Sequence, residues 1–490
     1  MSPSAFNLAR LLSTNDPLDP DEKQHARSKV TALNKRLEDL RLLCEQLENE
    51  LAEHKLLLSL SREIPNELLG AIFELIIPPV VGYESKQDLT NLRLVCKKWR
   101  DAAEITHRLW SGLAIDVEDE SLSFEKIAAW YSRSGDVRRS LVVFPSWHSM
   151  RDMDSCQLPH PVLCRLLTEG PVIDNLTISC TAVACLERFA QVFHSDEGAT
   201  LPWHAIRSCT ISFETEYWTR STSTPEGTTI FPPSLSSLTF TSQRNPANWG
   251  EDENVLSFIQ PTVLQHLTYL NLQCLWRQSL LSILSALQDC NKVETLVVAG
   301  GHEDTRATHT VETSLPQGIC LPQVKTLRIG GTCAFSISLM LKTLQTPNAV
   351  NLDIDLGSTR CCTLPLRNVN TAASADREIV WWSRISANLA AFKRLRHLRI
   401  RSTEMNSSTL TKCLKNFPSL THITLENIWF KSEEDPSFGF SKPSHQRQDS
   451  VAGLDRPCIE VVELLGKTRG FDLSYIQDLV GTGAPKIMLV

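Results

Sequence analysis

A short apolar pattern, repeated along most of the chain, limits the folds that this sequence can adopt. The pattern is apolar-x-x-apolar-x-apolar, and clear copies centre on Leu176, Leu270, Leu327 and Ile423. Alternation of apolar and polar residues within each copy predicts a β-strand with one buried face. From Leu176 to Ile423 the centres lie 33, 29, 32, 26, 31, 25, 46 and 25 residues apart. A period in this range is typical of a solenoid, whose repeats stack on their neighbours.

Amphipathic helical segments lie between several of the strands. Arg277–Cys290, Phe335–Gln345 and Ser408–Phe417 each place apolar residues on one helical face. Such a unit cannot bury its apolar side alone, so neighbouring units must stack. The sequence therefore predicts an α/β fold class over residues 113–430, with a curved parallel sheet and helices outside it. One register recurs without a gap, since Leu287-x-x-Cys290-x-x-Val293-x-x-Leu296 superposes on Leu414-x-x-Phe417-x-x-Leu420-x-x-Ile423.

Some copies depart from the common spacing. We expect degenerate copies at Trp110/Leu113/Ile115 and within Val137–Val143, and a shifted copy at Val350/Leu352/Ile354. The gap before Leu398 predicts an extra helix at about Asp376–Phe392, whose Trp381 and Trp382 we expect to pack in the core. After the repeats, residues 431–457 predict a polar mobile loop. Residues 458–490 predict an irregular C-terminal cap with short helical runs ending near Gly466 and Leu479.

The repeat region resembles a leucine-rich-repeat solenoid. The usual repeat has 20–29 residues and carries Asn or Cys three places after the last strand leucine. This chain has other residues at that position, so the resemblance does not extend to an asparagine ladder. The residues found there are Thr181, Glu214, Gln243, Gly301, Thr332 and Ile428.

A heptad seam precedes the repeats, within a helix predicted at residues 23–61. Its apolar positions alternate steps of three and four, which is typical of a coiled coil. So narrow a stripe cannot be buried by a lone helix. Two hypotheses stay open: a coiled coil through residues 30–58, as a parallel homodimer or a heteromer, or packing against the chain's own solenoid. Residues 1–22 predict a disordered segment. The seam is Val30, Leu33, Leu37, Leu40, Cys44, Leu47, Leu51, His54 and Leu58.

A third pattern occupies residues 62–112. Pro65 stands at a predicted helix start, where its missing N–H costs nothing, and Pro78-Pro79 ends that helix. A second helix covers Leu89–Ala103, and the segment closes with Leu109-Trp110. Helices in about 50 residues make a small core, and an apolar face left uncovered marks a partner site.

This segment resembles an F-box, on the strength of Ile64-Pro-x-Glu-Leu-Leu, Ile72-Phe, Leu92-x-x-Val-Cys-Lys-x-Trp99 and the closing Leu-Trp. The order of heptad helix, F-box and weak leucine repeats is similar to large F-box families of mushroom-forming fungi. The resemblance implies binding to the Skp-family linker of an SCF-type cullin–RING ubiquitin ligase, and through the linker to a cullin. By this resemblance the contact residues are Ile64, Pro65, Leu68, Leu69, Ile72, Leu92, Val95, Cys96 and Trp99, although part of this set can instead be internal core.

Composition removes other classes of function. A net charge of −7 gives no reason to expect a nucleic-acid partner, and no apolar run is long enough for a membrane span. Without a predicted signal peptide, we expect fifteen reduced cysteines and a cytoplasmic or nuclear location. The P-loop, Gly-x-Gly-x-x-Gly and Gly-x-Ser-x-Gly motifs are absent. We therefore expect neither a catalytic residue nor a cofactor or metal.

Three polar clusters are candidate sites. Gly300–Asp304 favours a solvated loop, and Asp353-x-Asp355 a polar strand face over a carboxylate pair. The basic stripe Lys393–Arg401 could meet an acidic partner or a phosphate, although an ordinary strand face is preferred. The sequence thus favours a substrate-recognition adaptor whose solenoid binds a protein target. The alternative is a solenoid scaffold, dimerised by the heptad helix, and a hydrolase in the repeat region is the least favoured hypothesis.

Overall fold

The computed structural model describes two compact units. The first contains Met1–Phe73 and Asn91–Ile105, and the second contains Glu74–Thr90 and Thr106–Val490. No helix in the described part of the chain is long and apolar enough to cross a membrane. The described residues are 13, 17–57, 63–144, 158–180, 183–194, 201–213, 230–242, 259–274, 280–300, 311, 313–330, 334–356, 385, 388–389, 392–405, 407–430, 459–469, 471 and 485–489.

The first unit begins with a long helix, α1, at Pro20–Leu57. Its start is a reciprocal cap, since the Glu22 backbone N–H donates to Asp19 Oδ1 at 2.7 Å and the Asp19 N–H to Glu22 Oε2 at 3.2 Å. This arrangement satisfies two of the N–H groups that a helix start leaves without partners. The heptad seam is exposed along α1, with Leu37 at 53% and Leu47 at 54%.

Three shorter helices follow, α2 at Asn66–Ile76, α3 at Tyr83–Val95 and α4 at Lys97–Ile105. The division between the units runs through α2 and α3. The carbonyl of Pro65 accepts the first helical hydrogen bond from the Leu69 N–H at 3.1 Å. Pro65 therefore stands directly before the first turn, as the sequence predicts.

The second unit is dominated by a parallel sheet. Thirteen strands among the described residues join it, in the order β1-β2-β3-β4-β5-β6-β7-β9-β11-β12-β14-β16-β17. Strand order follows chain order, which is the topology of a stacked repeat. The strands are β1 Gly112–Asp116, β2 Ser140–Phe144, β3 Asn175–Cys180, β4 Ser208–Phe213, β5 Ser237–Ser242, β6 Tyr269–Cys274, β7 Thr295–Gly300, β9 Thr326–Gly330, β11 Asn351–Asp355, β12 His397–Arg401, β14 His422–Glu426, β16 Val461–Leu465 and β17 Lys486–Leu489.

Helices and short strand pairs complete the second unit. The helices are α5 Phe124–Tyr131, α6 Pro161–Glu169, α7 Val183–Gln191, α8 Pro261–Leu264, α9 Leu280–Leu287, α10 Ala334–Thr343 and α11 Ser407–Leu414. Strand β8, Ile319–Cys320, pairs with β10, Leu344–Gln345, and β13, Glu404–Met405, pairs with β15, Trp429–Phe430. The second unit is therefore a curved parallel sheet backed by helices, and the predicted fold class is confirmed.

The apolar pattern sets the register of the ladder. Leu327 lies opposite Leu352, which lies opposite Leu398, and the next apolar position behaves in the same way. The expectation of a shifted copy at Val350 is wrong, because Ala349 is fully buried and takes the first apolar position of that strand. In β1–β7, β9, β11, β12 and β14 the two apolar side chains are buried in the core, and the residue between them lies on the opposite face, the solvent face of the sheet.

The predicted helical run near Gly466 is also wrong. Val461–Leu465 is strand β16, and it pairs with β14 on one side and β17 on the other. Its residues repeat the common pattern, since Ile459 and Val462 are buried and Leu464 packs against the core. The described part of the predicted extra helix is helical at Ile385, Asn388 and Leu389. Trp381, Trp382 and the loop 431–457 lie outside the described residues.

Gly112 begins the first strand where the chain leaves no room for a side chain. A Cβ there would lie 2.0 Å from the Pro79 carbonyl oxygen. The close approach lets the Val81 N–H donate to the Gly112 carbonyl at 3.2 Å. We expect Gly112→Ala to lower the free energy of unfolding by about 1–3 kcal/mol, as overpacking does. Denaturant midpoints will measure this, with Gly82→Ala as the control, because a Cβ there meets nothing closer than 4.0 Å.

Candidate docking surface

Helix α2 has a buried and an exposed apolar face. Leu69 and Phe73 are buried, at 1% and 0% exposure, whereas Leu68 and Ile72 are 58% and 42% exposed. Each pair is four residues apart, so each lies on one side of the helix. Leu69, which the F-box resemblance assigns to the contact, belongs to the interior and is not available at the surface.

Aromatic packing joins α2 to α4. The rings of Phe73 and Trp99 lie 5.2 Å apart at an interplanar angle of 54°, within the range of favourable aromatic pairs. Ala102 and Ala103 of α4 are fully buried, and their small side chains permit close helix packing. The internal core of this unit thus includes one side of Trp99, which is partly buried.

The junction of α3 and α4 presents a second group of exposed apolar side chains. Leu94 is 68% exposed and Val95 59% exposed, and Cys96 is exposed in the short break between the helices. The Cys96 carbonyl accepts from the Arg100 N–H at 3.1 Å, which begins α4. Like the outer face of α2, this exposed group is apolar, whereas an ordinary surface helix carries charged side chains.

The remaining predicted contact residues differ in exposure. Pro65 is exposed, whereas Ile64 and Leu92 are partly buried. Leu94 and Ile105, exposed at 68% and 53%, were not among the predicted residues. Leu94 lies off the apolar face that Leu92, Val95 and Trp99 define. An apolar residue outside that face is the sequence feature that could have identified Leu94 as a surface contact. We name the exposed set the docking patch: Pro65, Leu68, Ile72, Leu94, Val95, Cys96 and Ile105.

The chemistry of the docking patch suits binding. Its side chains are apolar except for one thiol, and the ion pair between Arg93 Nη2 and Glu104 Oε1, at 3.1 Å, lies on the same helices. No group of three potential metal-binding side chains occurs among the described residues. An exposed apolar patch on a helical cluster is a characteristic of protein interaction sites.

Comparison with known families places this segment. The sequence model described as F-box-like matches residues 62–116. Residues 62–116 form an F-box-like domain. The match extends the predicted segment, 62–112, to the end of β1, so the first repeat strand begins inside the F-box-like domain. No curated protein matches the chain.

Solved structures give distant similarities. The leucine-rich repeat-containing protein LegL7 from Legionella pneumophila is 13% identical, with a TM-score of 0.33, over 64% of this chain and 82% of its own. A chain in the Rad7 and Elc1 complex in yeast is 12% identical, with a TM-score of 0.31, over 84% of this chain and 98% of its own. At these scores the description of the solenoid rests on the strand ladder itself.

One end of the solvent face of the sheet carries a charged surface. Asp353 is 7% exposed, and its carboxylate accepts from Arg401 Nε at 3.0 Å and Nη2 at 3.2 Å. Arg399 donates from Nε and Nη2 to a single carboxylate oxygen, Oε2 of Glu426 on β14. Arg401 of the basic stripe thus pairs with the Asp353-x-Asp355 carboxylates, whereas Arg399 of the same stripe pairs with Glu426. The residues at 301–304 of the third cluster lie outside the described part.

At the other end of the sheet, the solvent face is apolar. Ala114 and Val142 project beside Phe144 and Tyr83, which are 47% and 91% exposed. They line an open cleft of about 490 Å³. Between this end and the charged end, the corresponding positions of β3 to β6 hold uncharged polar residues, and that of β7 holds Val297. The polar residues are Thr177, Thr210, Thr239 and Asn271.

The buried cysteines of the described strands and helices are packing residues. Burial raises the pKa of the Cys209 and Cys413 thiols to about 12. A thiol with so high a pKa is not a nucleophile near neutral pH, because the thiolate is the reactive form. The side chain of Cys274 lies outside the described part of the chain. The exposed cysteines include Cys44, Cys96 and Cys320.

Proposed function

We propose that this protein is a substrate-recognition adaptor of an SCF-type cullin–RING ubiquitin ligase. The observation that carries the proposal is the docking patch on an F-box-like domain, where Leu68, Ile72 and Val95 are left about half exposed. A Skp-family linker protein would cover this patch, and a cullin would be reached through the linker. The cytoplasm or the nucleus is the proposed location.

The proposed mechanism is proximity rather than chemistry by the chain itself. An adaptor that holds a target near a charged ubiquitin-conjugating enzyme raises the effective concentration of the target lysine. The second unit would bind the target through the solvent face of its sheet. Its apolar cleft at Phe144 and its charged end at Arg401 would meet different parts of that target. No catalytic residue is required.

Cysteine footprinting tests the proposal on the intact protein. Cys96 is exposed within the docking patch, and Cys320 is exposed on β8 in the second unit. A purified Skp-family linker should slow alkylation of Cys96 by at least about 10-fold, because a buried thiolate cannot reach the reagent. Cys320 provides the internal control, and its rate should not change. Mass spectrometry of the alkylated peptides measures both rates.

Two outcomes would count against the adaptor. Unchanged alkylation of Cys96 at saturating linker would remove the predicted contact, and absence of a complex in sedimentation would remove the linker as a partner. The second outcome would favour the scaffold hypothesis. That alternative is supported by the exposed heptad seam of α1, which provides an interaction surface independent of the docking patch.

A further inference from the structure

The seam of α1 is an apolar surface that needs a partner helix. Val30, Leu33, Leu37, Leu40, Leu47 and Leu51 are 51–57% exposed along a helix of 38 residues. Water contact along so long a leucine stripe is unfavourable, because each buried side chain would contribute to stability. Knobs-into-holes packing with another helix covers a stripe of this width.

Charge is divided between the two halves of α1. From Lys23 to Leu37 the chain has five Lys or Arg residues and no Asp or Glu. From Glu38 to His54 it has six Asp or Glu residues and a single basic residue, Arg41. The basic half of the helix is therefore complementary in charge to the acidic half. A second copy of the same helix has both halves and can pair with each of them.

A parallel pair would place like charges together. In register, each basic half lies beside the other basic half, and Arg36 at a g position faces Arg41 at the e position of the second copy. Such flanking charges select partner and orientation in coiled coils. A parallel pair would also place Cys44 opposite Cys44 and His54 opposite His54, within the apolar seam.

We propose that α1 binds α1 of a second copy of this chain in antiparallel orientation. The alignment that places Leu37 opposite Leu40 of the second copy also places Leu33 opposite Cys44, Val30 opposite Leu47 and Ala26 opposite Leu51. These layers are all apolar, and His54 falls outside them, opposite Lys23. Each basic half then lies along an acidic half, with Lys29 near Glu50 and Arg27 near Glu48.

A designed disulfide tests the orientation in the full-length protein. A disulfide requires Cα atoms about 4.4–6.8 Å apart. Leu33→Cys should therefore form a covalent dimer with Cys44 of the second copy under mild oxidation. Within one helix these positions are about 16 Å apart, which excludes an internal bridge. Adding Cys44→Ser should remove the covalent dimer, and this loss would show that Cys44, and not another cysteine of the chain, forms the bond.

Oxidation of the wild-type protein tests the parallel orientation. A covalent dimer of the unmodified chain that Cys44→Ser removes would show a parallel seam and overturn the proposal. Absence of a covalent dimer with Leu33→Cys would overturn it as well. Sedimentation of the wild type should give twice the chain mass of 55.0 kDa, and Leu40→Lys should give the monomer. A monomeric wild type at about 10 µM would overturn self-association, since the dissociation constants of stable interfaces lie below this concentration. That result would leave the proposed linker contact unaffected.

Charge reversal gives an independent readout. Lys29→Glu should raise the dissociation constant about 3–10-fold, because two symmetric ion pairs become repulsive. Adding Glu50→Lys should restore the wild-type value. In a parallel pair Lys29 lies near Asn34 of the second copy, so the second substitution would give no recovery, and that result would contradict the antiparallel orientation.

Discussion

Leu68→Asp should weaken binding to a Skp-family linker by at least about 100-fold without unfolding the chain. The Leu68 side chain is 58% exposed on the outer face of α2, so a carboxylate there stays hydrated in the free protein. In the complex the same carboxylate would be desolvated without a partner, at a cost of about 3 kcal/mol or more, and each 1.4 kcal/mol corresponds to about 10-fold in affinity. Calorimetric titration with purified linker measures the effect.

A matched substitution controls for the loss of an exposed leucine. Leu42 of α1 is 53% exposed and lies outside both the docking patch and the seam. Leu42→Asp should bind the linker with wild-type affinity. Equal affinity of Leu68→Asp and the wild type would show that the outer face of α2 takes no part in the contact.

The neighbouring residue should behave in the opposite way. Leu69 is 1% exposed and lies on the same side of α2 as Phe73. Leu69→Ala should lower the free energy of unfolding by about 2–5 kcal/mol, as cavities in cores do, and should affect the linker only through unfolding. Two adjacent leucines thus separate docking from folding, provided that melting curves accompany the binding data.

The contrast between Leu68 and Leu69 shows the limit of the sequence argument. The F-box resemblance identifies both positions, because it matches residue types in order. Which of them faces inward depends on where α4 packs, and the Phe73–Trp99 contact that fixes this is made between segments 26 residues apart. Periodicity predicts that a helix has an apolar face, but the partner determines which apolar face becomes core.

The repeat strands were predictable because each copy contains its own pattern. Ile423 and Leu425 can be recognised without reference to any other strand, and their register in β14 is the predicted one. The copy at Ile459, Val462 and Leu464 has the same spacing, but it follows a long polar segment, and the sequence there predicts an irregular cap instead. Ala349 was missed for another reason, since a small side chain fills an apolar position that larger residues occupy elsewhere.

Charge pairing across the sheet could not be derived from the sequence. Asp353 and Arg401 are 48 residues apart, and the pair forms only because β11 and β12 are neighbours in register. The same register places Asp353 directly beside Arg399, which turns instead to Glu426 on the other side. Sequence spacing alone indicated an acidic pair and a basic stripe, each with an unassigned partner.

Asp353→Ala should be the most destabilising substitution on the solvent face of the sheet. The carboxylate accepts two hydrogen bonds from Arg401, and Arg328 Nε lies 3.9 Å from its Oδ2. Removing it leaves the Arg401 guanidinium, whose side chain is only 30% exposed, without its main partner. Because charged hydrogen bonds contribute about 1.5–3 kcal/mol, we expect a loss of about 2–4 kcal/mol in denaturant unfolding.

Asp355 provides the matched control two residues along the same strand. Its Oδ2 lies 3.7 Å from Arg401 Nη1, and its side chain is 28% exposed. Asp355→Ala should cost less than about 1 kcal/mol, as for ion pairs that water screens. Arg401→Met in the Asp353→Ala background should recover part of the loss, because the arginine is then no longer partly buried without a carboxylate. Equal effects of the two aspartate substitutions would contradict this account, since they would make exposure and hydrogen-bond geometry irrelevant to the strength of the pair.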